Sequence, residues 1–554
     1  MIRPAPRPRP VPRRGIPGFT LLLAVVFLFT AAPAANAQLV PGGVYAVQGA
    51  RLVTAPERVI EQGTIVVRDG LIEAVGSGVE VPPDAVVVDG TDLIVYPGFI
   101  DAFSQAGLEL PSRQEREPAA NIAHRSALDW FDPGHQGLEE WREQGFTTAL
   151  VARDDGVFSG RAALMNLLGE DVGSMTVEDP VIQVLTYSGQ RGYPGTLMAV
   201  VAFQRQTLID AQYHTMLNER YASAPRGMER PDHEPALEAM AAEAAGRAPF
   251  LVQVHAENDF KRLRSLCEEF GIRCWVAGAQ EGYRVTDLLD EMDVPVIVSL
   301  DYPSIERVTG YWFDRAFKDL SDEEREALDD RDTAAVRGNA GTLLGQGITL
   351  ALCTSGMRDI GQFLDHLRMA VEAGLPADEA LRALTVTPAR LFGVEEVLGT
   401  LEEGKVANLT VACGDLFTSP DAYVSHIFVD GRLERFQEPA PPSAGIPTPI
   451  AGVWELSITM EGQSEQVIMQ LRRDGERVTG EITSPMGEIP VSGTYSQGLL
   501  SVEGQVPDMG PLSLTARVEG DRLSGSLSLG PMADLEVTGR KRPSVRRAGE
   551  GGPR

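Results

Sequence analysis

The sequence predicts an α/β protein: a (β/α)8 TIM-type barrel bracketed by a small composite β-sandwich, with a C-terminal all-β antiparallel domain appended. Three observations carry this prediction. Across residues 99–395, strand-like runs alternate with helix-like ones, the pattern of parallel strands joined by helical crossovers. Short β-branched runs broken by turn residues lie on both sides of that region. After a proline-rich linker at 437–449, about eight further strand-like runs follow with no helical pattern between them, as in all-β barrels and sandwiches.

The chain has 554 residues, enough for roughly two to four domains. A hydrophobic content of 43% is ordinary for a globular protein. With 78 acidic residues against 49 lysines and arginines, the formal charge is −29. That balance argues against a nucleic-acid partner, which needs cationic side chains to displace counterions from phosphates, and against an anionic membrane surface. At the N-terminus, Arg3, Arg7, Arg9, Arg13 and Arg14 precede the apolar run 19–30, and Ala35-Asn36-Ala37 supplies a small-x-small cleavage pattern. Residues 1–37 therefore read as an export signal, with Arg13-Arg14 leaving a twin-arginine route open. The apolar run is shorter than the roughly 20 residues that cross a bilayer. No membrane span is expected after cleavage, and the mature chain is expected in the periplasm or outside the cell.

The N-terminal flank, 38–98, contains the runs 64–68 and 71–75 around Asp69-Gly70. This is a two-residue hairpin signal, because a type I′ turn needs positive φ at both central positions. The flank is too short to make a core alone and needs partner strands, which 396–436 supplies in the runs 399–411 and 428–432. In the barrel region, 99–395, the strand candidates are 99–103, 146–152, 162–167, 181–187, 250–255, 272–278, 294–300 and 348–354, the number such a barrel requires. Helical stretches are expected at 234–247, 260–270, 284–291, 322–344, 361–373 and 377–384. In the C-terminal domain, 450–540, Asp474-Gly475 and Glu519-Gly520 punctuate short strands. The basic, glycine-rich tail, 541–554, has the composition of a disordered segment.

Several segments together resemble the amidohydrolase superfamily, most of all its imidazolonepropionase-like metal-dependent hydrolases. Tyr96-Pro97-Gly98-Phe99-Ile100-Asp101 is similar to the first barrel strand. The stretch Gly399 to Val411, with Gly404-Lys405-Val406-Ala407-Asn408, is similar to the return strand of the bracketing sandwich, with Asn408 where an aspartate is usual. Thr385-Val386-Thr387-Pro388-Ala389-Arg390 is a third such segment. The resemblance spans residues 41–435. It implies hydrolysis of carbon–nitrogen bonds in non-peptide or dipeptide substrates by one or two divalent metals such as zinc, held at the carboxyl ends of the strands. Such a metal lowers the pKa of bound water to about 7 and polarises the scissile carbonyl.

The resemblance also implies a ligand set: His-x-His on strand 1, a carboxylated lysine or glutamate on strand 4, histidines on strands 5 and 6, and an aspartate on strand 8. Here Phe103 and Gln105 stand at the first pair, strand 4 has no acid, and the first lysine in the chain is Lys261, beyond strand 4. Strand 6 has no histidine, and Ser355 occupies the aspartate position. Only His255, in Val254-His255-Ala256-Glu257, matches. One imidazole does not hold a zinc ion, which takes three or four protein ligands.

Two readings of His255 follow: a hydrogen-bonded residue at the barrel mouth with Glu257 as its partner, or one ligand of a rebuilt mononuclear site with Asp359 and with Asp101 or Glu281. Arg191, Tyr193 and Glu257 are candidates for substrate binding, although the glycine-rich stretch 187–195 also serves as a plain turn. Cys353 and Ser355 offer nucleophilic atoms without a base nearby in sequence. The four cysteines lack Cys-x-x-Cys spacing, so no zinc knuckle is expected. Cys267 and Cys274 are the one close pair, read as buried free thiols with a disulfide left open.

The expectation is that hydrolysis is lost or impaired, that no cofactor is bound, and that the protein binds a small-molecule ligand, a homologous subunit or a second copy of itself. The alternatives are an active hydrolase with an unusual or mononuclear site holding zinc or another divalent metal, and an envelope-binding role for the C-terminal domain.

Overall fold

The computed structural model describes residues 43–110, 120–189, 193–302, 334–357 and 359–436, then Ile450 and residues 452–541 apart from the turns at 461–462, 475–476, 485–486, 497–498, 507–509, 520–521 and 530–534. The expected signal segment and linker, the tail from 542 on, Arg191, and part of the expected 322–344 helix lie outside these residues. The chain divides into two compact units, Met1–Gln437 and Glu438–Arg554.

The first unit begins with strands β1 (Tyr45–Ala55), β2 (Arg58–Arg68), β3 (Leu71–Gly76), β4 (Val86–Asp89) and β5 (Leu93–Pro97). The barrel strands follow: β6 (Phe99–Ser104), β7 (Phe146–Val151), β8 (Phe158–Asn166), β9 (Thr176–Thr186), β10 (Pro249–Val254), β11 (Arg273–Gly278), β12 (Val296–Ser299) and β13 (Leu350–Cys353). The chain then returns through β14 (Leu409–Cys413), β15 (Tyr423–Val429) and β16 (Arg432–Arg435). Strands from both flanks join one sheet in the order β16-β15-β14-β5-β1-β2-β3, with β4 paired to β1. Two Asp-Gly turns stack against each other in it. Asp69-Gly70 and Asp430-Gly431 all have positive φ, and a Cβ on Gly431 would lie 2.6 Å from the Gly70 Cα, so only glycine fits there.

Asn408 ties this sheet to the barrel. Its amide nitrogen donates to Thr148 Oγ1 (3.0 Å) and Asn166 Oδ1 (2.9 Å), and its oxygen accepts from the Asp430 N–H (2.7 Å). A carboxylate there would have no proton to donate, which gives the departure from aspartate a structural sense.

The eight expected barrel strands are all present, in the order β6 to β13. Seven run as expected, but β8 is antiparallel to both β7 and β9. The connections explain this correction. Residues 152–157 join β7 to β8 without a helix, and only α2 (Val172–Met175) lies between β8 and β9, whereas a parallel crossover needs a dozen or more residues. Ile100, Leu150, Leu164, Val184, Leu251, Ala277, Ile297 and Ala351, one from each strand, form a single buried cluster. The interior is thus packed, as in barrels of this size.

The helices are α1 (Leu138–Glu143), α2, α3 (Leu197–Ser223), α4 (Pro235–Ala239), α5 (Ala241–Ala244), α6 (Glu257–Phe270), α7 (Thr286–Met292), α8 (Asn339–Gly345), α9 (Phe363–Glu372), α10 (Ala377–Leu384) and α11 (Val386–Leu391). The helix expected at 234–247 is two short ones broken at Met240. The 27-residue α3 was not anticipated. None of the helices among the described residues is long and apolar enough to cross a membrane.

In the second unit, eight antiparallel strands close into a barrel, β17 (Gly452–Met460), β18 (Gln463–Asp474), β19 (Arg477–Ser484), β20 (Gly487–Ser496), β21 (Leu499–Val506), β22 (Gly510–Glu519), β23 (Arg522–Leu529) and β24 (Leu535–Lys541). Alternate residues such as Leu512, Leu514, Ala516 and Val518 on β22 are buried in its core. β24 takes in Lys541, the first residue of the segment expected to be a tail.

Candidate functional site at the barrel mouth

The seam between the first and last barrel strands is bridged by a side chain. Asp101 on β6 is fully buried. Its carboxylate accepts from the Thr354 N–H (3.0 Å), the Thr354 hydroxyl (2.5 Å) and Trp141 Nε1 (3.0 Å), with a longer bond from the Phe103 N–H (3.4 Å). Thr354 directly follows β13, and Trp141 comes from α1. Burial pushes the Asp101 carboxyl up to about 6, against the opposing pull of these donors. Asp101 therefore acts as the clasp of the barrel and is committed to it.

Farther round the mouth, His255 follows β10. A Cβ on Gly278, at the end of β11, would lie 2.7 Å from His255 Cε1, and Gly278 has φ 93°. Glycine at that point leaves room for the ring. His255 Nδ1 is buried with no hydrogen-bond partner. Burial holds the imidazole below its usual value, partly offset by the charges of Asp259 and Asp301, so the ring is neutral near pH 7.

Asp301 is the mouth acid that the sequence reading passed over. It stands two residues beyond β12, its N–H donates to Ser299 Oγ (3.0 Å), and its carbonyl accepts from Gln280 Nε2 (3.2 Å). Ser299 Oγ donates to the Ser355 carbonyl (2.5 Å). A Cβ on Gly356 would lie 3.1 Å from Asp301 Oδ2, so the carboxylate sits over the end of β13. An acid immediately after an apolar strand candidate was the signal that could have found it.

The other candidates are placed as follows. Glu257 turns to Lys261 (2.5 Å), whose hydrogen bond and charge hold its carboxyl below the usual range. Its backbone N–H donates to Glu281 Oε2 (2.7 Å). The acid expected beside His255 is thus paired elsewhere. Asp359 caps a 3-10 turn, accepting from the Gly361 N–H and Gln362 Nε2. Tyr193 is 66% exposed and stacks edge-on against Phe203. Phe103 is buried in the barrel core, Gln105 is exposed, and Ser355 is nearly buried. Burial raises the Cys353 thiol well above its usual value, leaving no thiolate to act as a nucleophile.

The donor set does not fit the divalent metal that the superfamily ordinarily carries. Zinc requires several nitrogen, sulfur or oxygen ligands at about 2 Å. A phenyl ring, an exposed amide and a serine occupy ligand positions, and among the described residues no group of three or more His, Cys, Asp or Glu converges to hold an ion. Asp101, one of the acids expected for a rebuilt site, is spent on the seam.

These observations define a class: an α/β barrel bracketed by a sheet built from both flanks, with its polar residues gathered at the carboxyl ends of the strands. The fold is similar to that of a solved amidohydrolase, and residues 319–433 match the model of the amidohydrolase family. An amidohydrolase from Thermotoga maritima MSB8 is similar in structure, with 23% identity, a TM-score of 0.57, and coverage of 71% of this chain and 100% of that one. A Xaa-Pro dipeptidase (14% identity, TM-score 0.39, 71% and 100% covered) and a molinate hydrolase (16%, 0.43, 74% and 100%) also match.

Proposed function

We propose that this amidohydrolase-fold chain is an exported protein that has lost the metal-dependent hydrolysis of carbon–nitrogen bonds typical of its superfamily and acts by binding. The site is the barrel mouth around His255 and Asp301, and the ligand is a small amide or dipeptide-like molecule. Binding to an active homologous subunit is a further role the same surface leaves open.

The observation that carries the reading is the combined change at the strand ends. Non-ligating side chains stand on strands 1, 4, 6 and 8, while a neutral imidazole with an unpaired nitrogen persists on strand 5. A buried polar atom without a partner costs about 1–3 kcal/mol, so a ligand that hydrogen-bonds to it recovers that cost. The test has two parts. Metal content of the protein, purified without chelator and again after incubation with zinc, manganese or iron, should stay far below one ion per chain. Calorimetry with a panel of dipeptides and cyclic amides should find a binder whose affinity falls at least tenfold in His255→Ala. Stoichiometric metal that resists dialysis would sink the reading.

One observation favours a second reading. A neutral His255 within the field of Asp301 is suited to accept a proton, so hydrolysis through an unusual site is the rival. Saturable turnover abolished by His255→Ala in a folded variant would establish it.

A further inference from the structure

Cys267 and Cys274 meet by a local device. α6 ends at Phe270, Gly271 takes the left-handed conformation as its cap (φ 65°), and β11 starts at Arg273. The reversal folds the last turn of the helix back over the start of the strand. Both cysteines are free thiols in the structure, and their sulfurs lie 3.0 Å from each other, near enough to join without moving the backbone far. Cys274 is 5% exposed and Cys267 is half-buried. Both line an open cleft with Arg264, Glu268, Trp275 and Glu291, so an outside reagent reaches the pair. The remaining cysteines lie elsewhere: Cys353 is buried at the end of β13 and Cys413 ends β14.

We propose that Cys267 and Cys274 form a disulfide that staples α6 to β11, made by thiol–disulfide exchange with an external protein or low-molecular-weight disulfide. Cys267, the more accessible sulfur, loses its proton and attacks the external disulfide, forming a mixed disulfide and expelling one thiol. Cys274 then loses its proton and attacks the Cys267 sulfur, forming the internal bond and expelling the second thiol. The chain gives up two protons and two electrons, and the external disulfide is reduced to two thiols. The neighbouring Cys267 sulfur and burial both hold the Cys274 thiol far above its usual value, which makes Cys267 the sulfur that opens the exchange. The staple closes a short loop at the strand's amino end, away from His255. Its effect falls on the helix–strand pair and leaves the mouth chemistry alone.

The test uses the full chain equilibrated with oxidised glutathione, then denatured and treated with maleimide without reductant. Two of four thiols should label, the intact mass should fall by two hydrogens, and a peptide map should join Cys267 to Cys274. Reduction should lower the thermal midpoint by several degrees in the wild type and leave that of Cys267→Ser unchanged. Because the serine variant keeps the native packing volume nearly intact, folding is not at risk, and Cys274→Ser provides a second check. Labelling of all four thiols after oxidation, a map joining either cysteine to Cys353, to Cys413 or to another chain, or a reductant effect that persists in both serine variants would overturn the staple.

Discussion

The seam at Asp101 and the mouth position at His255 both place a titratable side chain at the carboxyl side of the barrel, the first fully buried and the second half-buried, yet they are wired in opposite ways. Asp101 takes four hydrogen bonds from the backbone and side chains of β6, α1 and the end of β13. His255 keeps one nitrogen with no partner. A buried polar group with its bonds made is part of the scaffold, and one left open calls for a partner. The acid of the Pro-Gly-Phe-Ile-Asp motif thus belongs to the fold, and the open nitrogen of His255 is what the proposed ligand would engage.

The largest expected effect breaks the seam. Asp101→Ala leaves the Thr354 N–H and hydroxyl without their acceptor and Trp141 Nε1 with only its longer bond to Thr354 Oγ1 (3.2 Å), in a buried place. It should cost about 3–5 kcal/mol of stability, read as a lower urea midpoint. A loss under about 1 kcal/mol would show that the clasp is dispensable.

Next in size is the pH dependence of the same group. Its folded value of about 6 lies above the ordinary 3.8, so the folded chain binds this proton more tightly than the unfolded one. Its contribution to stability is complete below about pH 4 and is lost as the pH rises through 6, a change of about 3 kcal/mol. The short contact with the Thr354 hydroxyl serves both states, because a hydroxyl donates to the carboxylate and accepts from the acid. Other carboxyls titrate in the same window, so the measurement is the difference between wild type and Asp101→Asn from pH 4 to 7. The wild type should weaken relative to the variant, and a flat difference would place the group at an ordinary value. Trp141→Phe, which removes one donor and keeps the ring packing, should cost about 1–2 kcal/mol.

The same contrast explains what the sequence made legible. The barrel strands could be read because apolar runs and turn residues mark them directly, and Asp69-Gly70 announces its turn through the φ it requires. The antiparallel course of β8 was not read, because it depends on connections too short to cross over, not on any property of the strand itself. Helix α3 escaped because its buried stripe, Val200, Gln204, Thr207, Leu208, Ala211 and His214, has helical spacing but half of it is polar. Gln204 donates to the Thr186 carbonyl (3.0 Å) and His214 contacts the Asp232 carbonyl (3.0 Å), partners that only the tertiary fold supplies. At the site, matching against the superfamily's ligand pattern singled out His255. It could not reveal that Glu257 is taken by Lys261, or that Asp301 is brought to the end of β13.

The smallest expected effect on stability is the sharpest test of the comparison. His255→Leu replaces a ring whose Nδ1 makes no bond with an apolar side chain, in a space that Gly278 keeps open. If the imidazole were structural like Asp101, removing it would cost several kcal/mol by orphaning its partners. With Nδ1 unpaired, the substitution should move stability by no more than about 0.5–1 kcal/mol in either direction, because the lost packing is offset by removing an unsatisfied polar atom. Ligand affinity should fall at least tenfold in the same variant. Urea unfolding and calorimetry on one preparation separate the two quantities. A large loss of stability with affinity intact would assign His255 to the scaffold, and the binding site would then have to be sought around Asp301 alone.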